Sequence, residues 1–228
     1  EEQDIFAYNS QVKAIKAVDG GLFDKEIVPI VIKDRKGDIV FNRDEYPNRT
    51  TNLEKLAGFR PVFVKDGTVT AGNASGINDG ASFVMLMSEE AVKKYNLKPL
   101  AEIVGIGQGA VDPQYMGLGP VVAIRDVMKR SGYHLKDMDV IELNEAFAAQ
   151  SLGVLKSLVE EHGLGLDELL AKTNIQGGAI ALGHPVGASG ARILVTLLHI
   201  MQRQNYNLGL ASLCIGGGMG TAIIVKKV

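Results

Sequence analysis

Residues 139–150 have the sequence DVIELNEAFAAQ, and this stretch decides the fold class. Its first part, Asp139–Leu143, is short and mostly apolar, which predicts a strand buried in a sheet. The residues that follow, Asn144–Glu161, predict a helix. Asn144 stands at the junction, where it is either the N-cap of this helix or a polar group that faces a ligand. A strand that passes directly into a helix is the repeating unit of an α/β domain.

The same alternation of strand and helix continues on both sides of this stretch. Further strands are predicted at Ala81–Met87, Ala101–Val111, Leu208–Ile215 and Gly220–Val228. Further helices are predicted at Glu2–Val18, after an N-cap at Ser88, at Pro120–Ser131 and at Ser189–Gln204. This order predicts a parallel-dominated sheet with helices on both faces. The short glycine turn between the last two strands predicts that this pair is antiparallel.

The first sixty residues have a different character. Glu26–Lys33 is β-branched and almost wholly apolar, which predicts a strand covered on both faces, and Pro29 indicates that one of its edges is unpaired or bulged. Residues 34–60 are polar and predict a long, weakly structured segment of the kind used for binding or linking. We therefore expect residues 1–60 to be the remnant of a neighbouring domain and residues 61–228 to form the main domain. An extra edge strand would produce a similar pattern.

The composition argues against several classes of function. The 228 residues carry a formal net charge of −2, so neither nucleic acid nor an anionic membrane surface is an expected partner. No apolar run is long enough to span a bilayer. A single cysteine excludes an internal disulfide and, with only four scattered histidines, argues against a zinc site. We expect a protein without metal or cofactor in a reducing, cytoplasmic compartment.

Three glycine clusters invite a test for nucleotide binding: GIGQG at 105–109, GHPVGASG at 183–190 and CIGGGMG at 214–220. The first follows a strand, but no helix opens on it. The second lacks the Lys-Ser or Lys-Thr of a phosphate-binding loop. The third leads into another strand and so lacks the helix N-terminus that holds a pyrophosphate. These loops therefore argue against a nicotinamide-dependent dehydrogenase.

Three polar groups remain at the ends of predicted core elements, where open α/β sheets bind ligands. Beside Asn144 they are His184 and Cys214. His184 precedes a helix whose positive end favours the neutral imidazole, and so a base, although a packed histidine would also fit. Cys214 enters three glycines whose N–H groups can face a developing anion, although most lone cysteines are core residues. By chemistry alone, Cys214 and His184 pair as nucleophile and base, and Asn144 or the glycine amides stabilise an oxyanion.

Four motifs resemble those of the thiolase family. In chain order they are TAGNASGINDGA at 70–81, NEAFA at 144–148, GGAIALGHPVGASGAR at 177–192 and CIGGGMG at 214–220. The resemblance extends over essentially the whole chain. It implies the α/β thiolase fold, in which two similar βαβαβαββ domains are accompanied by a loop domain inserted in the first. This chain then corresponds to the tail of the N-terminal and loop domains plus the whole C-terminal domain.

The resemblance also implies roles that differ from those assigned by chemistry alone. His184 would activate a nucleophilic cysteine, and Cys214 would be the acid/base that moves the α-proton of the thioester. Asn144 would hold a catalytic water that forms one oxyanion hole with His184, and the Gly216 amide would contribute to another. The residues implied to contact the pantetheine arm are Ser75 and Ala71, and those implied to line the acyl tunnel are Phe63, Met116, Ala146 and Phe147.

The family's nucleophilic cysteine lies in the N-terminal half, which this sequence does not contain. We therefore expect activity only with a complementary N-terminal polypeptide, either a cleaved fragment or a separate subunit. With that partner, the resemblance implies an acetyl-CoA C-acetyltransferase of lipid metabolism, assembled as a dimer or tetramer, that interconverts two acetyl-CoA with acetoacetyl-CoA and CoA. The alternatives are a 3-ketoacyl-CoA thiolase of broader chain length and a non-catalytic half that binds acyl-CoA.

Overall fold

The computed structural model describes residues 1–228. The helices are α1 Glu2–Asp19, α2 Leu53–Ala57, α3 Glu89–Lys94, α4 Gly119–Ser131, α5 Ala148–His162, α6 Leu166–Lys172, α7 Ala179–Leu182 and α8 Ser189–Gln204. The strands are β1 Ile30–Ile32, β2 Ile39–Phe41, β3 Ala101–Ala110, β4 Val140–Leu143, β5 Leu208–Gly216 and β6 Met219–Lys227. Two short 3₁₀ helices cover Pro113–Leu118 and Leu135–Asp137. None of the helices is both long and apolar enough to cross a membrane.

The main sheet has four strands in the order β3-β6-β5-β4. Only β4 and β5 pair in parallel, while β6 pairs antiparallel with both β5 and β3. The predicted antiparallel pair at the end of the chain is therefore confirmed, and the predicted parallel-dominated sheet is wrong. The reason is that β6, the return strand of the final hairpin, lies between two strands that run the same way. One reversed strand in this central position makes two of the three pairings antiparallel.

The βαβαβαββ pattern implied for the C-terminal domain has five strands, and the structure shows four of them and a single bridge where the fifth would be. Strands β3, β4, β5 and β6 fill four of the five places. At the fifth place Thr173 forms one parallel bridge with Ile141 of β4. The chain then turns through α7 to the segment that carries His184.

Helices cover both faces of this sheet, as predicted. On one face, Ile141 and Leu143 of β4 belong to a buried cluster with residues of α4 and α5. On the other face, Val140 packs in a second cluster with residues of α8. Neighbouring strand residues point to opposite faces, so β4 is buried on both sides. This burial fixes the position of the turn that follows β4.

The N-terminal part agrees only in part with expectation. Helix α1 forms as predicted and packs against α5 and α7. The strand predicted at Glu26–Lys33 and expected to be covered on both faces is wrong: only Ile30–Ile32 form a strand, and all three residues are exposed. Strand β1 pairs only with β2, so this hairpin has no sheet to bury its faces. The domain boundary at residue 60 stays a prediction.

The strand predicted at Ala81–Met87 is also wrong. These residues belong to no strand, and Phe83 and Met85 are 89% and 83% exposed. An extended chain becomes a strand only when a neighbouring strand accepts and donates its backbone hydrogen bonds, and no strand lies beside this segment. The N-cap predicted at Ser88 is confirmed, since its side chain accepts a hydrogen bond from the backbone N–H of Ala91.

Candidate functional site

Asn144 lies at the carboxyl end of β4, beside the end of β5. Its backbone N–H donates to the carbonyl of Ser212 at 3.0 Å, two residues before Cys214 on β5. Of the two alternatives for Asn144, the helix N-cap is wrong, because α5 begins at Ala148 with Phe147 in the N-cap position. Residues 144–147 form a turn instead, and the Asn144 side chain is free of a capping role. Asn144 therefore directly follows β4, and Cys214 lies near the end of the neighbouring parallel strand β5, close to the strand ends where the sequence predicted them.

His184 reaches the same place by a different route. It does not follow a strand, which corrects the expectation that all three groups lie at strand ends, but comes two residues after α7. Its backbone N–H donates to the carbonyl of Gly76 at 3.1 Å. Gly183 has φ +91, and a Cβ there would lie 2.5 Å from the side chain of Asn78. The loop is thus held against residues 76–78 by a contact that only glycine allows.

The hydrogen bonds of His184 assign its tautomer. The Ser189 hydroxyl donates to the carbonyl of Pro185 at 3.0 Å, which leaves its oxygen to accept from His184 Nδ1 at 2.5 Å. Nε2 then carries the lone pair and lies 3.4 Å from Asn144 Nδ2, which in this tautomer is the donor. Burial, and secondarily the charge of Arg192, lower the pKa of His184. The imidazole is therefore neutral near pH 7 and presents Nε2 as a base.

Cys214 is half-buried, and its thiol donates to the carbonyl of Met116 at 3.0 Å. Beyond it, Gly216, Gly217 and Gly218 all have positive φ, and this turn joins β5 to β6. A Cβ on Gly218 would lie 2.2 Å from the carbonyl oxygen of Val111. The hairpin turn and this close approach explain Gly218 structurally, whereas a Cβ on Gly216 would meet nothing within 4 Å. The surroundings of Gly216 are thus open enough for a ligand.

Most of the residues implied to bind the substrate arm are gathered in one place. The backbone N–H and hydroxyl of Ser75 both donate to the carbonyl of Ala146, at 3.0 and 3.1 Å. The rings of Phe63 and Phe147 meet edge to face with centroids 6.0 Å apart. Met116 lies next to Cys214, because its carbonyl accepts the hydrogen bond from the Cys214 thiol. Ala71 is exposed in the turn after Thr70, and none of these contacts includes it.

Sequence analysis missed one residue that orients a group of this site and two buried glutamates that lie next to it in the chain. Ser189 orients the imidazole of His184, and its place five residues later in the same glycine-rich motif was the only signal. Glu142 and Glu145 flank Asn144 and are both fully buried, although nothing in their spacing indicates it. Burial raises the pKa of Glu142 to about 8. Burial also raises the pKa of Glu145, while hydrogen bonds from Ser10 and other donors oppose that rise.

Known proteins resemble this chain along its whole length. Residues 97–227 match the family model of the thiolase C-terminal domain, and residues 1–90 match that of the thiolase N-terminal domain. The acetyl-CoA acetyltransferase of Syntrophomonas wolfei subsp. wolfei is 53% identical over 226 residues, which are 99% of this chain and 55% of that protein. The chain thus spans about half the length of the curated relatives it matches.

Solved structures confirm the fold predicted from the four motifs. The crystal structure of the Bacillus anthracis acetyl-CoA acetyltransferase matches with a TM-score of 0.92 and 47% identity, covering 100% of this chain and 56% of that one. The crystal structure of human mitochondrial 3-ketoacyl-CoA thiolase in complex with CoA matches with a TM-score of 0.85 and 43% identity, covering 100% of this chain and 54% of that one.

Proposed function

Because the chain belongs to the thiolase family, we propose that it is the C-terminal part of an acetyl-CoA C-acetyltransferase. The complete unit interconverts two acetyl-CoA with acetoacetyl-CoA and CoA. One observation carries the proposal: Nε2 of the neutral His184 imidazole lies 3.4 Å from the side-chain amide nitrogen of Asn144. Asn144 follows β4, which pairs in parallel with β5, the strand that contains Cys214 near its end. This arrangement supplies a base, a polar donor and a thiol at one edge of the sheet, where open α/β folds bind ligands.

The first step is acylation of a cysteine on the complementary N-terminal half. His184 Nε2 removes the proton of that thiol, and the resulting thiolate attacks the thioester carbonyl of acetyl-CoA. The bond from the carbonyl carbon to the CoA sulfur breaks as the enzyme thioester forms. Cys214 gives its proton to the departing CoA thiolate, so CoA leaves as the free thiol and Cys214 becomes the thiolate.

The second step forms the carbon–carbon bond. The Cys214 thiolate removes an α-proton from a second acetyl-CoA, and a water held by Asn144 together with protonated His184 stabilises the enolate oxygen. The enolate carbon attacks the enzyme thioester, and the N-terminal cysteine leaves as a thiolate. That thiolate recovers its proton from His184, and the Gly216 amide contributes to the oxyanion hole of this step. All groups return to their starting protonation states.

Substrate placement rests on the gathered residues around the Asn144 turn. Ser75 is tied to Ala146, and Phe63 meets Phe147, so the pantetheine arm and a short acyl group have polar and aromatic contacts next to the reacting groups. Ala71 and Met116 complete this proposed substrate site. A second candidate is a 3-ketoacyl-CoA thiolase of broader chain length, which the likeness to the human mitochondrial enzyme favours. Comparing thiolysis of acetoacetyl-CoA with that of longer 3-ketoacyl-CoA esters decides between them.

The setting of the reaction is part of the same proposal. We place the completed unit in lipid metabolism, in a reducing cytoplasmic compartment, as a dimer or tetramer. The single cysteine of this chain supports a compartment where thiols stay reduced.

The test is complementation. The N-terminal part of the Syntrophomonas wolfei relative is co-expressed with this chain, and cleavage of acetoacetyl-CoA by CoA is measured for each part and for both together. We expect activity only from the pair, with acetyl on the N-terminal cysteine detected by intact mass. Enzyme-like cleavage by this chain alone would refute the need for a partner. Binding of acyl-CoA by the pair without acylation would identify a non-catalytic half.

Variants of the pair test the two roles separately. Cys214→Ala is expected to abolish condensation and to leave part of the acylation of the N-terminal cysteine. His184→Ala is expected to impair both steps. Equal loss of both steps in Cys214→Ala would contradict the assignment of Cys214 to the α-proton.

A further inference from the structure

Glu145 is a buried charged side chain next to the site that the proposed mechanism does not use. It directly follows Asn144 and is 2% exposed. A carboxylate is almost never fully buried unless it is paired or hydrogen-bonded, because leaving water is costly for a charge. Its neighbour Glu142 is equally buried, but both of its carboxyl oxygens lack a hydrogen-bond partner. The two glutamates are therefore comparable in burial, but only Glu145 is hydrogen-bonded to its surroundings.

The Glu145 carboxylate accepts hydrogen bonds from three separate parts of the chain. The Ser10 hydroxyl of α1 donates at 2.6 Å, the Asn174 side-chain amide at 2.9 Å and the backbone N–H of Ile180 at 3.3 Å. Ser10 also accepts from the backbone N–H of Gly178 at 3.0 Å. Ser10 and Glu145 thus bind the backbone at the start of α7, where Gly178 lies six residues before His184.

The same contacts hold the Asn144 turn from the other side. Asn174 accepts from the backbone N–H of Leu143 at 2.8 Å and donates to its carbonyl at 2.7 Å. A Cβ on Gly178 would lie 2.3 Å from the carboxyl carbon of Glu145, so the α7 segment sits directly on this carboxylate. The backbone before Asn144 and the segment leading to His184 are therefore fastened to one side chain.

We infer that Glu145, with Ser10, is a positioning residue that sets the distance between the Asn144 amide and the His184 imidazole. The inference rests on the proposed function, because it gives those two groups their task. The hydrogen bonds of the Glu145 carboxylate go to Ser10, Asn174 and Ile180 and not to Asn144 or His184, so it acts through its neighbours. A misplacement of reacting groups by about 1 Å is enough to lower a rate on the order of 10²-fold. The hydrogen bonds of Glu145 and Ser10 can therefore control activity although neither residue contacts substrate.

The first test uses this chain alone and needs no activity. In Glu145→Gln, an NH2 group that cannot accept replaces one carboxylate oxygen. Either the hydrogen bond from Asn174 to one oxygen or those from Ser10 and Ile180 to the other are therefore lost. Long-range ¹⁵N nuclear magnetic resonance follows the titration of His184, and nuclear Overhauser spectra report its contact with the Asn144 side-chain amide. We expect that contact to be lost. We also expect the His184 midpoint to rise toward its ordinary value of 6.5, since a displaced imidazole is better solvated.

Glu142→Gln is the matched control, because it changes an equally buried glutamate that makes no hydrogen bond. It is expected to leave both His184 readouts unchanged below pH 7. Ser10→Ala removes one link and should move both readouts in the same direction by less. If Ser10 and Glu145 form one tie, the double variant moves them no further than Glu145→Gln alone.

The outcomes separate the inference from its alternatives. A folded Glu145→Gln with unchanged titration and unchanged Overhauser contact shows a merely structural carboxylate and overturns the inference. If Glu145→Gln does not fold, Ser10→Ala decides by the same readouts. In the complemented enzyme, we expect Glu145→Gln to lower kcat on the order of 10²-fold with little change in KM. Loss of all activity, wild type included, would refute the proposed function, whereas the spectra of the single chain would still decide the positioning.

Discussion

Replacing Glu142 with glutamine is expected to stabilise the chain, and increasingly so as the pH rises. Glu142 lies on β4 with no exposed surface, and both carboxyl oxygens lack a hydrogen bond. The nearest cation, Arg192, is 3.8 Å away, which is within ion-pair range but too long for a hydrogen bond. Burial therefore outweighs the ion pair and raises the pKa of Glu142 to about 8. Glutamine keeps the shape of the side chain and removes the ionisation.

The magnitude follows from the difference between the folded and unfolded pKa. The folded value of about 8 lies roughly 3.5 pH units above the ordinary value of 4.5, and each unit corresponds to about 1.4 kcal/mol. Between these two values the folded state holds a proton that the unfolded state has released, so stability falls as the pH rises. We expect Glu142→Gln to gain about 1 kcal/mol at pH 5 and about 3 to 5 kcal/mol at pH 9.

The assay is urea unfolding of both proteins at closely spaced pH values from 5 to 9, followed by circular dichroism. The wild type should lose stability up to about pH 8, while the variant keeps the part due to the other buried carboxyl groups. These include Glu26, whose pKa burial raises to about 7, and Glu145, whose pKa burial also raises. The difference between the two curves should therefore grow until about pH 8 and then level off. Parallel curves over the whole range would refute the reasoning, because they would mean that Glu142 ionises freely in the folded chain.

The remaining predictions concern the surroundings of the site. Gly178→Ala should lower the free energy of unfolding by about 2 to 4 kcal/mol, because its Cβ would overlap the Glu145 carboxyl group. Gly187→Ala is the control in urea unfolding, because a Cβ there meets nothing within 4 Å. Equal effects of the two substitutions would contradict the overlap. Ser189→Ala removes the acceptor of His184 Nδ1, so ¹⁵N spectra should show the Nε2–H tautomer, and the completed enzyme should acylate more slowly; an unchanged tautomer would contradict the assigned hydrogen bond.

Elements buried within the main domain were predictable from sequence. The apolar spacing in Pro120–Ser131 and Ser189–Gln204 gave helices α4 and α8 almost to the residue, because each packs an apolar face on the sheet. The apolar residues of Asp139–Leu143 predicted β4 for the same reason. Cys214 and Asn144 were also placed correctly at strand ends. The local sequence pattern is enough to predict an element when the surface on which that element packs belongs to the same domain.

Elements whose structure depends on distant parts of the chain were not predictable in this way. Residues 81–87 have the composition of a strand, but a strand needs a neighbour for its backbone groups, and no pattern within the segment supplies one. Asn144 has the residue type of an N-cap, yet Ser75 binds the turn after it and α5 starts at Ala148. The contact of Ser10 with Glu145 joins positions 135 residues apart, and no spacing rule reaches that far.

The groups to which we assign acid–base chemistry are held by contacts within the chain itself. His184 is oriented by Ser189, Asn144 lies against His184, and the Cys214 thiol is bonded to the Met116 carbonyl. Preorganised groups of this kind do not have to rearrange when a reactant arrives. A complementary half would therefore have to deliver a thiol and cover the site rather than build it. It follows that the Nδ1–H tautomer of His184 should already be present in the isolated chain and should persist when the partner binds, which ¹⁵N spectra before and after complementation can measure. A tautomer that forms only in the complex would mean that the partner assembles the site.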